Sequence, residues 1–169
     1  ESMNSVHGSA GNDSMKASYG ADTLDGGWGN DTLAGNGESV LVGGAGDDVY
    51  IVAQAGDRIV EKAGADIDKV MTALATHRLA DHVEILEYTG HQAFAGTGNA
   101  LNNQLRGGGG DDTLDGAGGL DTLTGGSGND TYVIDRNDEQ LVEQAGAGVD
   151  TVRVAIASAS TYVLGSNIE

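Results

Sequence analysis

Gly26-Gly27-Trp28-Gly29-Asn30-Asp31-Thr32-Leu33-Ala34 places three glycines, one aspartate and one apolar residue at set positions within nine residues. Working outward from it, Gly-x-Asp followed two residues later by an apolar side chain recurs along the chain. The matches are Gly11/Asp13/Met15, Gly20/Asp22/Leu24, Gly29/Asp31/Leu33, Gly46/Asp48/Tyr50, Gly110/Asp112/Leu114, Gly119/Asp121/Leu123, Gly128/Asp130/Tyr132 and Gly148/Asp150/Val152. This composition alone would scatter roughly one. The phase is the stronger signal. Asp13, Asp22 and Asp31 are nine residues apart, and so are Asp112, Asp121 and Asp130. The step from Asp31 to Asp48 is 17, two periods less one residue, with a damaged unit at 35–42 between them.

A strand alternates faces at every residue, so in Thr32-Leu33-Ala34 only the middle side chain points inward. Thr32, Thr113, Thr122 and Thr131 precede the apolar residue and suit an outer face. The rest of each unit must reverse the chain, which glycine permits through positive φ. Two units then make one flat coil with turns on opposite edges, and equivalent turns stack at the strand spacing of about 4.8 Å. Asp13 falls over Asp31, Asp31 near Asp48, and Asp112 over Asp130. The pattern predicts an all-β chain folded as a right-handed parallel β-roll, a β-helix-like solenoid of two nonapeptide blocks with flanking strands. Met15, Leu24, Leu33, Leu41, Tyr50, Leu105, Leu114, Leu123, Tyr132 and Val152 are the expected core.

Composition removes competing readings. Of 169 residues, 29 are glycine, none is proline or cysteine, and 26 Asp and Glu outweigh eight Lys and Arg for a net charge of -18. Such a surface repels phosphates, which argues against nucleic acid and anionic membranes as partners. No apolar run approaches the roughly 18 residues of a membrane span. Collagen fails on period and on proline, and a disulfide scaffold or thiolate metal site fails on cysteine. Low hydrophobicity with high charge also marks disorder, but the nine-residue period decides for a repeat. The opening Glu1-Ser2-Met3 carries no basic and apolar leader, so the expectation is a processed product or an excised piece.

Stacked carboxylates repel by about 3 kcal/mol per pair at an effective dielectric near 20. The inward side chains are few against the entropy of ordering a glycine-rich chain. The chain is therefore expected to be largely unfolded until a cation fills the slots between turns. Oxygen-only ligation, with no His or Cys in phase, suits a hard cation. Calcium accepts six to eight irregular oxygens, whereas magnesium demands a tight octahedron.

The units 26–34, 43–51, 107–115 and 125–133 read GGxGxDxUx with U apolar. They resemble the RTX, or hemolysin-type, calcium-binding repeat of secreted bacterial proteins. The resemblance implies about four to eight calcium ions, each between two stacked turns, bound by turn carbonyls and the repeat Asp. Carried over, the side-chain ligands are Asp13, Asp22, Asp31, Asp48, Asp112, Asp121, Asp130 and Asp150, and Asp68 in the flank is a further expected ligand. The implied carbonyl donors are Gly26, Gly27, Trp28 and Gly29, then Gly43, Gly44, Ala45 and Gly46. Further along they are Gly107, Gly108, Gly109 and Gly110, then Gly116 and Gly119, and Gly125, Gly126, Ser127 and Gly128. Asn103 takes the Asp position of its unit. The unit at 35–42 has no carboxylate there, which leaves Asp22 a weak half-site beside Glu38.

A longer repeat overlies the short one. Residues 49–70 match 131–152 at a constant offset of 82, and 79–84 match 164–169 at an offset of 85. The expected division is a block with flanking strands at 8–97 and a second, truncated one at 98–169, or one roll interrupted by those strands. Residues 71–79 resemble a short helix in isolation, but their Val- and Ile-rich counterpart favours strand. Because Glu169 aligns with Glu84, the native protein is expected to continue with a strand like 85–88. For Asp57, Glu61, Asp138 and Glu143, further calcium ligands and solvated surface charge are both open readings.

No HExxH, GxSxG, Walker or EF-hand spacing occurs, so no catalytic role is expected of the piece itself. His7, His77, His82 and His91 lack ligand spacing. Asn12, Asn30 and Asn129 head glycosylation sequons that arise from the repeat itself, and Trp28 occupies a free turn position. Two functions survive. One is a module that folds on calcium outside the bacterial cell and supports type I secretion of a larger polypeptide. The other is an extracellular interaction module for polysaccharide or a partner surface.

Overall fold

A computed structural model describes residues 3–64, 66–156 and 162–168. Among these the chain is β-strand and turn, with no helix. In chain order the first strands are β1 (Ser5–His7), β2 (Ser14–Lys16), β3 (Thr23–Trp28), β4 (Thr32–Ala34), β5 (Val40–Ala45) and β6 (Val49–Val52). The flank supplies β7 (Arg58–Val60), β8 (Lys69–Thr72), β9 (Thr76–Arg78), β10 (Ile85–Tyr88) and β11 (Ala95–Thr97). The second block and its own flank supply β12 (Gln104–Gly109), β13 (Thr113–Asp115), β14 (Thr122–Ser127), β15 (Thr131–Ile134), β16 (Gln140–Val142) and β17 (Thr151–Val154).

Every pairing is parallel and joins alternate strands, so the molecule is a β-solenoid with two strands per coil, as a parallel β-roll requires. All even strands form one sheet of eight, running without interruption from β2 to β16. The odd strands form a four-stranded sheet, β1-β3-β5-β7, and a five-stranded sheet, β9-β11-β13-β15-β17. The break between β7 and β9 follows from turn length. The connection after β8 is only residues 73–75, against 53–57 after β6, so β9 starts out of line with β7. Residues 71–79 are β8 and β9 with their link, the strand alternative.

Register puts like on like: Leu24 pairs with Leu41, Leu33 with Tyr50, Leu105 with Leu123 and Leu114 with Tyr132. All eight side chains are no more than 1% exposed. Met15 and Val152 are only half-buried, because β2 and β17 are outermost in their sheets. The flank continues the interior with Val52, Val70, Leu79, Val83 and Leu86, and stacks Tyr88 on Phe94 with ring centroids 4.5 Å apart. Turn glycines make the stacking possible. Gly44 has φ 117° and Gly126 φ 109°, and a Cβ on either would overlap the carbonyl oxygen of Gly27 or Gly108 one coil below. Only glycine meets both demands.

Candidate metal centre

The residue immediately before each strand builds the site. Before the even strands stand Asp13, Asp31, Asp48, Asp68, Glu84, Asn103, Asp121 and Glu139, a polar column along one edge. Before the odd strands stand Asn4, Asp22, Ser39 and Asp57, then, past the break, Ala75, Phe94, Asp112, Asp130 and Asp150. Within a column, one oxygen of each aspartate from Asp22 on accepts the backbone N–H of the counterpart one coil earlier, whereas Glu139 Oε1 accepts those of Asp135 and Arg136. Asp31 Oδ1 takes the Asp13 N–H at 2.8 Å, Asp48 Oδ1 that of Asp31 at 2.7 Å, and Asp68 Oδ1 that of Asp48 at 2.8 Å. On the other edge Asp130 serves Asp112 at 2.8 Å and Asp150 serves Asp130 at 2.9 Å.

The second oxygen is turned into the turn itself. A Cβ on Gly26, Gly43, Gly107, Gly116 or Gly125 would overlap Oδ2 of Asp31, Asp48, Asp112, Asp121 or Asp130 in turn. The opening glycine of each unit therefore makes room for the unit's own carboxylate. These Oδ2 atoms, with those of Asp57 and Asp150 and the Oε2 atoms of Glu139 and Glu143, are buried and accept no hydrogen bond. Burial, and after it the neighbouring carboxylates, pushes Asp48 and Asp121 up to about 6 and Asp68 and Asp112 up to about 7. Glu139 is likewise driven up to about 7, chiefly by burial. Buried anionic oxygens without donors lack a positive partner. Several such oxygens, with carbonyls packed beside them and no imidazole or thiolate, are the donor set of a hard divalent cation.

The chain matches the family of the RTX calcium-binding nonapeptide repeat (4 copies) over residues 2–33, 33–59 and 97–132, more than half of its length. The chain belongs to that family. No match was found among curated proteins. Calcium is the cation of that family and suits this donor set; Asp31, Asp48, Asp112, Asp121 and Asp130 lie within the matched residues, and Asp68 and Asp150 outside them.

Other RTX positions are arranged differently. Asp22 has both oxygens engaged: Oδ1 by the backbone and side-chain nitrogens of Asn4 at 2.9 Å, and Oδ2 by Ser18 N and Oγ at 2.7 and 2.8 Å. The Ser18 hydroxyl, opposed by burial, holds its carboxyl below the usual carboxylate range. Asp13 Oδ2 accepts from Ser9 N–H at 2.6 Å. Ser39, not Glu38, fills the column position above Asp22, because β5 starts at Val40. Glu38 points to solvent. Asn103 is saturated: its Oδ1 accepts the Asn99 N–H at 2.7 Å, and its amide donates to Val83 O at 3.0 Å. The expected turn residues Trp28, Ala45 and Ser127 are exposed. Trp28 and Tyr19 lie on turns at opposite edges, so they form no common platform.

Glu84 and Glu139 went unrecognised in the sequence. Counting 18 residues on from Asp121 reaches Glu139, whereas the 16-residue step from Asp68 to Glu84 breaks any fixed count. A second, exposed ladder was also missed. Asn12 Oδ1 accepts the Asn30 N–H at 2.9 Å, Asn30 Oδ1 that of Asp47 at 3.1 Å, and Asp47 Oδ1 that of Ile67 at 2.8 Å. Asp111 and Asn129 repeat this at 2.8 and 2.9 Å in the second block. The sequon asparagines are thus turn-stacking residues, and the signal was their recurrence one place before the repeat Asp.

Proposed function

We propose that the chain is a calcium-responsive folding module, unfolded where calcium is scarce and folded outside the bacterial cell, that supports export of a larger polypeptide. In this reading it comprises two calcium-binding blocks, 8–97 and 98–169, that together take about four to eight ions at six to eight oxygens each. The observation that carries it is the set of buried carboxylate oxygens without hydrogen-bond partners. A fold that gathers them ionised has a cost that a bound cation offsets. Because the donor set comes from stacked turns, binding belongs to the folded state and stabilises it by RT ln(1 + [L]/Kd) at each site. At a hundredfold excess over Kd that is about 2.7 kcal/mol per site, so a few sites outweigh ordinary marginal stability. No helix among the described residues is long and apolar enough to cross a membrane. The repeat itself is a structural element, and the reading assigns it no chemistry.

The test is to chelate the full chain at neutral pH and then restore calcium to millimolar. Sheet-type circular dichroism and a compact hydrodynamic radius should appear together and cooperatively. A chelated chain that is already compact and rich in sheet would sink the switch.

A further inference from the structure

The register that stacks the turns places one residue where the repeat does not provide for it. Val42 pairs with Val60, so the opening glycine of the turn, Gly43, lies beneath Glu61. Thr124 pairs with Val142, so Gly125 lies beneath Glu143. Gly8, Gly26 and Gly43 occupy this place in successive coils, and Glu61 interrupts the series. The glutamate side chain descends into the space the missing Cβ leaves. A Cβ on Gly43 would overlap Asp48 Oδ2, Glu61 Oε1 and the Tyr50 hydroxyl together.

Two clusters result. Ligand atoms of Asp48, Glu61 and Asp68 lie within 4.8 Å of one another, and so do those of Asp130, Glu143 and Asp150. The Tyr50 hydroxyl donates to Glu61 Oε1 and the Tyr132 hydroxyl to Glu143 Oε1 in short hydrogen bonds. Both tyrosines are fully buried. The observation that points to a ligand is separate from the crowding of charge. Asp48, Asp130 and Asp150 are each 1% exposed, and the Oδ2 of each, with Glu143 Oε2, is buried without a partner. Every member of the first cluster recurs in the second one long repeat, 82 residues, later.

We infer that Glu61 and Glu143 are calcium ligands contributed from outside the nonapeptide, closing a three-carboxylate slot just past the last nonapeptide unit of each block. This rests on the calcium reading above. An ordinary slot lies between two glycine-rich turns. Above 43–48 and 125–130 no such turn follows; the next connections, 61–68 and 143–150, are two residues longer and open with glutamate. A carboxylate thus stands in for lost turn carbonyls and adds a charge, which raises calcium affinity. Tyr50 and Tyr132 are positioning residues. Each takes the inward place of Leu and, through its hydroxyl, holds the glutamate over the slot.

Native mass spectrometry and calcium titration calorimetry of the full chain test this, with circular dichroism at saturating calcium as the fold control. Wild type should show two ions bound more tightly than the rest. Glu61→Gln with Glu143→Gln should weaken those two by about tenfold or more and leave the others unchanged, while the exposed Glu38→Gln changes nothing. If the glutamine pair fails to fold, Tyr50→Phe with Tyr132→Phe keeps the question open to refutation. That pair retains every carboxylate, so it should keep the ion count and weaken the same two ions. Wild-type counts and affinities in whichever pair folds would overturn the assignment and leave the calcium module standing. A wild-type chain that binds no calcium would overturn both.

Discussion

Asp31, Asp48, Asp112, Asp121, Asp130 and Asp150 each divide their work between two oxygens. One fixes the coil beneath it by accepting a backbone N–H, and the other is left without a donor. Removing such a residue therefore has two consequences: an orphaned N–H one coil earlier and a lost ligand. Asp31→Ala and Asp130→Ala should each move the calcium midpoint of folding upward by about tenfold, which corresponds to roughly 1.4 kcal/mol. Asp22 separates the two effects. Its oxygens are engaged by Asn4 and Ser18, so Asp22→Ala should lower thermal stability at saturating calcium while leaving the ion count unchanged. Asp25, outward on β3 with its carboxylate bonded to exposed His7 at 3.3 Å, should barely move either quantity when changed to alanine. Parallel calcium titrations followed by circular dichroism, with ion counting at saturation, distinguish the three classes. Equal effects of Asp25→Ala and Asp31→Ala would show that bulk negative charge, not position, controls folding.

At the level of coils, the nine-residue period carried most of the architecture. It supplied the parallel solenoid, the inward Leu and Tyr, and the stacking of Asp31 on Asp48 and of Asp112 on Asp130, because hydrophobic alternation and glycine spacing are local signals. What it missed depends on register across turns of unequal length. Ser39 and Glu84 enter the columns only once strand starts are known, and the 82-residue offset conceals a change of edge. From β6 to β15 is nine strands, an odd number of half-coils, so the identical clusters at Asp48 and Asp130 lie on opposite edges. At Asn103 the column is held differently, for a chemical reason. Asn103 occupies a carboxylate position, but its amide donates to Val83 O, and Asn99 Nδ2 donates to Ala80 O and Val83 O, each at 2.7 Å. Side-chain N–H groups there do for the carbonyls what a cation does elsewhere. Asn103→Asp replaces a donor by a second anionic oxygen aimed at those carbonyls. At a calcium concentration that folds both proteins, the variant should show weaker protection of the Leu86 and Leu105 amides in hydrogen exchange than the wild type. Equal protection in the two folded proteins would contradict the role given to the amide.

The whole molecule concentrates a net charge of -18 onto a solenoid whose two edges are columns of carboxylates, and protons can relieve that charge as well as calcium can. In the metal-free fold, burial raises Asp48 and Asp121 to about 6 and Asp68, Asp112 and Glu139 to about 7. The ordinary values are 3.8 for Asp and 4.5 for Glu. A group whose folded value exceeds its unfolded one binds protons more readily when folded, so acid favours the fold. That contribution is fully present below the unfolded values, near 4, and is lost as the pH rises through about 6 to 7. Chelated protein taken from pH 8 to pH 5 should therefore contract and gain sheet signal, the reverse of ordinary acid denaturation. Calcium must displace the same protons, so its midpoint should rise as the pH falls below about 7, with proton release on binding that grows in buffers of lower pH. Calorimetry in buffers of different ionisation enthalpy measures that release directly. A calcium midpoint independent of pH between 5 and 8, with no proton release, would mean that these carboxylates are already ionised in the metal-free fold. Their orphaned oxygens would then have found another partner than the cation.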